Sequence, residues 1–305
     1  MTNICHLFHT QYIGKIISEN NYQFQMIIHL ICGIIIVIVA NIKTGEVGLN
    51  QNHQTVLLTG ASQGIGYTVL ERLLVEGYKV VATDRCIDAL DTKLDAVKKQ
   101  YAAQLDYYAI DLLDSQLAQQ VAQLCSKYHF DHLVSCAGAL SSGSVHEMSV
   151  ETIKQMFDIN TFGALTMIQQ VAEGMKRRKA GNIVVIGSNA ANTPRLNIGA
   201  YAASKSALHM LVKCSGLELA EYGIRCNIIS PGSTRTEMQT QLWHENYGEP
   251  QVIAGNLEQY RLGIPLRKMA EPADIANSVL FLMSDAARQI TMHDLRVDGG
   301  ATLDN

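Results

Sequence analysis

The sequence has no basic cluster large enough to neutralise a phosphate backbone, which excludes nucleic acid as the principal partner. Lys and Arg number 24 against 28 Asp and Glu, a net charge of −4. The densest basic run, Lys176-Arg177-Arg178-Lys179, is short and lies just ahead of Gly181. It reads as a solvated helix end favoured by the macrodipole, with Gly181 as the stop. Paired cysteines are lacking too. The seven cysteines (5, 32, 86, 125, 136, 214 and 226) are scattered, odd in number and never spaced Cys-x-x-Cys. That argues against a disulfide frame or zinc site and for reduced, mostly buried thiols in a cytoplasmic protein. The ten histidines show no His-Glu-x-x-His spacing, so no metal is implied; His209 and His293 read as packing residues. There are only five prolines and no Pro-rich linker, low-complexity tract or internal repeat. With 48% hydrophobic residues, the chain can fill one large α/β core.

Residues 1–52 stand apart from the rest. An apolar run covers residues 30–40, and a window from 24 to 42 comes close to the ~20 apolar residues of a membrane span. Gln25, His29 and Asn41 interrupt it. The leading region is long and barely basic, and no small-residue cleavage site follows, which argues against a signal peptide. We read residues 1–52 as an N-terminal extension, translated from upstream of a native start near Val47 or Leu49; a weak hydrophobic anchor is the alternative. The globular domain runs over 53–305, and no membrane contact is implied for it.

From residue 55 the punctuation is regular. Apolar runs at 55–60, 78–84, 105–111, 131–138, 181–188, 223–232 and 293–300 read as strands. Helical patterns at 65–76, 88–100 and 115–127, and a long one before 181, lie between them. Strands alternating with helices predict βαβ units: an α/β fold of the Rossmann type, with a doubly wound seven-stranded parallel sheet and helices on both faces.

The first strand runs into Thr59-Gly60-Ala61-Ser62-Gln63-Gly64-Ile65-Gly66. Glycines at such a turn let the backbone approach a pyrophosphate seated on a helix N-terminus. Asp84 ends the second strand, 18 residues beyond Gly66. Its carboxylate suits ribose hydroxyls and repels a 2′-phosphate, so NAD is expected over NADP. The neighbouring Arg85 could receive a phosphate, but Gln63 supplies no second cation. Asp111, followed by Leu112, suits the adenine edge or a helix cap.

Two spacings converge on one resemblance: Gly60-x-x-x-Gly64-x-Gly66, and Tyr201-x-x-x-Lys205 with Ser188 ahead of it. With Cys136-Ala137-Gly138, Asn160 in DINTFGA and SPGSTRT at 230–236, the chain resembles the short-chain dehydrogenase/reductase family from residue 55 onward. The resemblance implies hydride transfer at a carbinol or carbonyl carbon, with Tyr201 as base. Ser188 would hold the reacting oxygen, Lys205 would bind the nicotinamide ribose, and Asn160 would anchor a water linking Lys205 to solvent. Gly60, Ser62, Gln63, Gly64, Ile65, Gly66, Asp84, Arg85, Asp111, Leu112, Ala137, Gly138, Pro231, Gly232, Thr234 and Thr236 would line the cofactor site with Tyr201 and Lys205. An ammonium one turn from the phenol favours phenolate and brings a pKa of about 10 toward the working range.

Residues 230–243 and 260–303 narrow the resemblance to members that oxidise a carboxylated cyclohexadiene diol to a catechol acid in siderophore biosynthesis. The departure Ile-Thr-Met-His-Asp-Leu at 290–295 is part of that match. An acidic substrate needs a cation or several donors. Arg195, in the loop leading to Tyr201, is the first candidate, and a solvent-facing loop arginine is its plainer reading; Arg235 is the second. Met238, Gln239 and Trp243 are expected to shape the pocket beside Ser188 and Tyr201. The resemblance also implies a homotetramer. Another short-chain alcohol dehydrogenase, a 3-oxoacyl reductase and a non-catalytic NAD sensor are the alternatives.

Overall fold

The computed structural model describes residues 54–85, 91–245 and 247–303; the extension expected over 1–52 lies outside them. Seven strands form one sheet: β1 Thr55–Thr59, β2 Lys79–Asp84, β3 Leu105–Ala109, β4 His132–Ser135, β5 Gly181–Ile186, β6 Ile224–Pro231 and β7 Asp294–Val297. Their order is β3-β2-β1-β4-β5-β6-β7, and every pairing is parallel. The order reverses beside β1, so the loops after β1 and β4 part and leave a crevice at the carboxyl ends of the strands.

Burial on both faces explains the unbroken apolar strands. Along β1, Val56 and Leu58 enter one core while Leu57 enters the other. The first core takes Val69, Leu70 and Leu73 of α1 (Gly64–Val75) and Ile275, Val279 and Leu282 of α9 (Pro272–Met283). The second takes Val121 of α3 (Leu117–Lys127), Met167 and Val171 of α5 (Ala164–Arg178), and Leu208 and Val212 of α6 (Gly199–Leu219). Each fully buried Leu or Val in these layers contributes roughly 1.5–3 kcal/mol of transfer free energy.

The remaining helices are α2 Asp91–Gln100, α4 Val150–Phe157, α7 Glu237–Thr240 and α8 Glu249–Ala254. Helix α3 begins two residues later than its pattern suggests, because Asp114 accepts the amides of Gln116 and Leu117 and ends the preceding turn. The basic run does close α5, but the stop is Lys179 itself in the left-handed conformation (φ 54°), not Gly181, which opens β5. A small third cluster, Val252, Ile264 and Met269, packs beneath the α7–α8 segment.

Candidate active site

A cleft with a cavity volume of about 320 Å³ runs along the carboxyl ends of the strands. All of the expected cofactor residues line it: Gly60, Ser62 to Gly66, Asp84, Arg85, Asp111, Leu112, Ala137, Gly138, Tyr201, Lys205, Pro231, Gly232, Thr234 and Thr236. Of the expected catalytic and substrate residues, Ser188, Arg195, Tyr201, Lys205, Met238 and Gln239 line it as well.

At Gly60 and Gly66 the glycine loop has room for backbone only. Gly60 sits at φ +70°, and a Cβ there would lie 2.7 Å from the Ala137 nitrogen. A Cβ on Gly66 would lie 1.9 Å from the Gly60 carbonyl oxygen. Helix α1 starts after Gln63 with no side-chain cap, so its first amides are open to an anion in the cleft. Asp84 accepts the Ser62 amide at 3.1 Å, tying the end of β2 to the loop. These features fit a dinucleotide: a bare backbone cradle, an open helix start and a carboxylate at the ribose position. Asp111 also accepts the Leu113 amide at 2.9 Å, so it caps a turn while facing the cleft. Thr236 closes the loop from above: a Cβ on Gly64 would meet its methyl at 3.3 Å.

The reactive groups come from three elements. Ser188 ends β5, Tyr201 and Lys205 share one face of α6, and Asn160 lies in a π-helical turn, Asp158–Gly163, between α4 and α5. The Ser188 hydroxyl lies close enough to the phenol of Tyr201 to lower its pKa and accepts the Ala190 amide at 3.1 Å. Lys205 is buried, and its Nζ donates to the Ile186 carbonyl at 2.8 Å. Burial pulls its pKa down to about 8, opposed by Cys136.

The phenol behaves differently from the expectation. Burial raises the pKa of Tyr201, the Ser188 hydroxyl lowers it, and burial wins. Burial of the phenol is therefore what keeps Tyr201 protonated.

Asn160 ties two neighbouring segments together. It is fully buried, and its Oδ1 accepts the Ala139 amide while its Nδ2 donates to the Ala139 carbonyl, both at 2.8 Å. Nδ2 donates again to Ser204 Oγ at 3.0 Å. The side-chain amide thus rivets the β4 loop to α6. A Cβ on Gly138 would sit 3.1 Å from Asn160 Oδ1 and 3.4 Å from Lys205 Nζ, so this glycine keeps the two groups close.

Other expectations are corrected. Arg235 does not line the cleft: its Nη1 and Nη2 donate to Glu249, each at 2.6 Å, and its Nε to Glu271 at 2.8 Å. Trp243 does not line the cleft but packs on the third cluster, of which Val252 and Ile264 line the cleft, as does its neighbour Leu242. His293 is exposed, not packed, and Cys214 is exposed where a buried thiol was expected.

His209 is buried, and it does more than pack. Its Nε2 accepts the Ser188 amide at 3.3 Å, and its Nδ1 lies 3.2 Å from Asp294 Oδ2. Asp294, from the His-Asp-Leu departure, also accepts Ser230 Oγ and, at 3.3 Å, Asn192 Nδ2. Arg261 lines the cleft along with Arg195, and their charges interact. No spacing in the sequence singles Arg261 out.

Comparison with known proteins agrees with this geometry. The sequence profile of the family described as short chain dehydrogenase matches residues 54–247. The vibriobactin-specific 2,3-dihydro-2,3-dihydroxybenzoate dehydrogenase of Vibrio cholerae serotype O1 is 57% identical, over 82% of this chain and 96% of the relative. The 2,3-dihydro-2,3-dihydroxybenzoate dehydrogenase of Bacillus subtilis is 44% identical, over 81% and 95%. Among solved structures, an oxidoreductase of the short-chain dehydrogenase/reductase family from Burkholderia thailandensis superposes with a TM-score of 0.73 at 33% identity, over 83% of this chain and 94% of the other.

Proposed function

The chain belongs to the short-chain dehydrogenase family, and from that premise we propose that it oxidises 2,3-dihydro-2,3-dihydroxybenzoate to 2,3-dihydroxybenzoate with NAD, supplying the catechol acid of a siderophore. The observation that carries the reading is the meeting of Ser188, Tyr201 and Lys205 in one cleft that also presents Asp84 beside the glycine loop. NAD, when bound, accepts the hydride. The preference for NAD over NADP rests on Asp84, whose charge opposes a 2′-phosphate.

The chain's own residues handle the proton. Tyr201 Oη takes the hydroxyl proton of the reacting ring carbinol, and Ser188 Oγ hydrogen-bonds the same oxygen. The positive charge of Lys205 favours the phenolate that proton uptake requires. Asn160 positions the Ala139 loop against α6. Loss of hydride and proton leaves a ring ketone, which tautomerises to the aromatic catechol. Aromatisation makes the step effectively one-way.

The test pairs the dihydrodiol acid with NAD and follows NADH absorbance together with catechol fluorescence. Tyr201→Phe is expected to lower kcat by about 10²–10⁴-fold with NAD affinity retained. Near-normal turnover removes Tyr201 from this role, and a wild-type enzyme that makes no NADH from the acid overturns the reading.

Two broader readings accompany it. The enzyme assembles as a homotetramer; Met210 and Leu217, seven residues apart on α6, are 62% and 68% exposed and form an apolar stripe suited to a like helix. It works in the cytoplasm, where its free thiols Cys125, Cys136, Cys214 and Cys226 stay reduced; cell fractionation checks this. Among the described residues no helix is long and apolar enough to cross a membrane.

A further inference from the structure

Besides Lys205 and Glu237, five charged residues among those described line the cleft. Asp84, Arg85 and Asp111 follow β2 and β3, whereas Arg195 follows β5 and Arg261 follows α8. Arg195 and Arg261 come from loops 66 residues apart, by subtraction of their numbers, yet line the same cleft as Tyr201 and Gln239. Arg261 is half-buried and held in place, its Nη1 donating to Tyr247 Oη at 2.6 Å. Arg195 is half-buried and, among the described residues, has no hydrogen bond or ion pair.

The two guanidinium groups oppose one another. Burial holds Arg195 below the ordinary arginine range, and the Arg261 charge pushes it further the same way; Asp298 and Tyr247 act against this. Nearby acids do not close the site. Asp298 spends its carboxylate on Asn189 Nδ2 at 3.1 Å and the Gly300 amide at 2.9 Å. Among the described residues, no carboxylate lies within ion-pair distance of either arginine. Arg235 shows the contrast, since every side of its guanidinium is taken by Glu249 and Glu271. Two half-buried like charges without an ion pair of their own are costly, and an anion placed between them offsets the repulsion and part of the desolvation penalty.

Resting on the function proposed above, we propose that Arg195 and Arg261 together form the subsite for the substrate's carboxylate. Each guanidinium offers a planar pair of N–H donors, and a carboxylate has two oxygens to accept them. Tyr247 keeps Arg261 aimed. Arg195 sits in the loop between Ser188 and α6, so gripping the acid also sets the ring against Ser188 and Tyr201.

The test compares Arg195→Gln, Arg261→Gln and Arg261→Lys with the wild type on two substrates: the dihydrodiol acid, and a neutral cyclohexadiene diol without the carboxylate. The kinetic preference for acid over neutral diol is expected to fall tenfold or more in each Gln variant, mainly through KM, with Arg261→Lys retaining part of it. A second arm measures binding of 2,3-dihydroxybenzoate and of catechol by calorimetry in the presence of NADH. The Gln variants should lose affinity for the acid at least tenfold and bind catechol as before. An unchanged preference, or equal losses for the acid and for catechol, overturns the subsite. Arginine-dependent binding of 2,3-dihydroxybenzoate by a wild type that turns over neither diol would sink the proposed function and leave the subsite standing.

Discussion

Lys205 carries the pH behaviour of the site. Oxidation needs a place for the alcohol's proton, so the rate rises as the Tyr201–Lys205 pair loses one of its own. Neutral Lys205 beside a phenol, and ammonium beside phenolate, hold the same number of protons, so the pair titrates as a unit. With Lys205 brought down to about 8 and Tyr201 raised, the first proton leaves near pH 8. The kcat/KM for oxidation is expected to climb between about pH 7 and pH 9. In Lys205→Met the phenol stands alone, and the rising limb should move above about pH 10. A pH–rate profile of both proteins checks this, and a limb that stays in place would sink the assignment. The reactive residues were legible because each belongs to a short spacing: Tyr201 and Lys205 lie one helical turn apart, and Ser188 ends a strand. The commitments of Lys205 to Ile186 and of Asn160 to Ala139 were not legible, since both partners are distant in the sequence.

At the scale of elements, the site depends on how closely backbones approach. At Gly60 the loop passes so near the β4 loop that a Cβ would intrude, and at Gly66 the start of α1 presses on the loop's own Gly60 carbonyl. Gly66→Ala places a carbon against the Gly60 carbonyl and must displace either the loop or the first turn of α1. Overpacking of this kind costs about 1–3 kcal/mol. A lower melting temperature and at least a tenfold loss of NAD affinity, by thermal melt and fluorescence titration, are expected; unchanged NAD binding would mean the loop does not hold the cofactor. The π-helical turn has a comparable role. Its wider ring interrupts the run from α4 to α5 and presents Asn160 and Thr161 to Ser204 of α6. The sequence pattern predicted a long helical stretch here and the family resemblance singled out Asn160, but a 3.6-residue period cannot reveal a turn with one extra residue.

For the whole molecule, the sheet is what gathers the site. Strands paired in the order β3-β2-β1-β4-β5-β6-β7 bring the glycine loop, the β4 loop, Ser188 and the SPGSTRT segment to one edge. The outer faces remain for assembly. If α6 meets a like helix in a tetramer, Leu217→Asp puts a charge on the 68% exposed stripe and should shift the sedimenting species from tetramer toward dimer, with the active site intact. A wild type that sediments as a monomer would refute the tetramer.

The sequence by itself determined the alternation of strands and helices, the glycine loop, Asp84 and the Tyr201–Lys205 pair. Each is a local matter, set by backbone freedom at one turn or by the period of one helix. Tertiary structure alone decided which arginines face the cleft. Arg235 and Arg261 look alike as loop cations, yet Glu249 and Glu271 neutralise the first, while Tyr247 aims the second toward Arg195. The same holds for Trp243, drawn into the third cluster, and for His209, placed behind Ser188. Such outcomes depend on partners brought together by sheet order and packing, and no spacing along the chain encodes them.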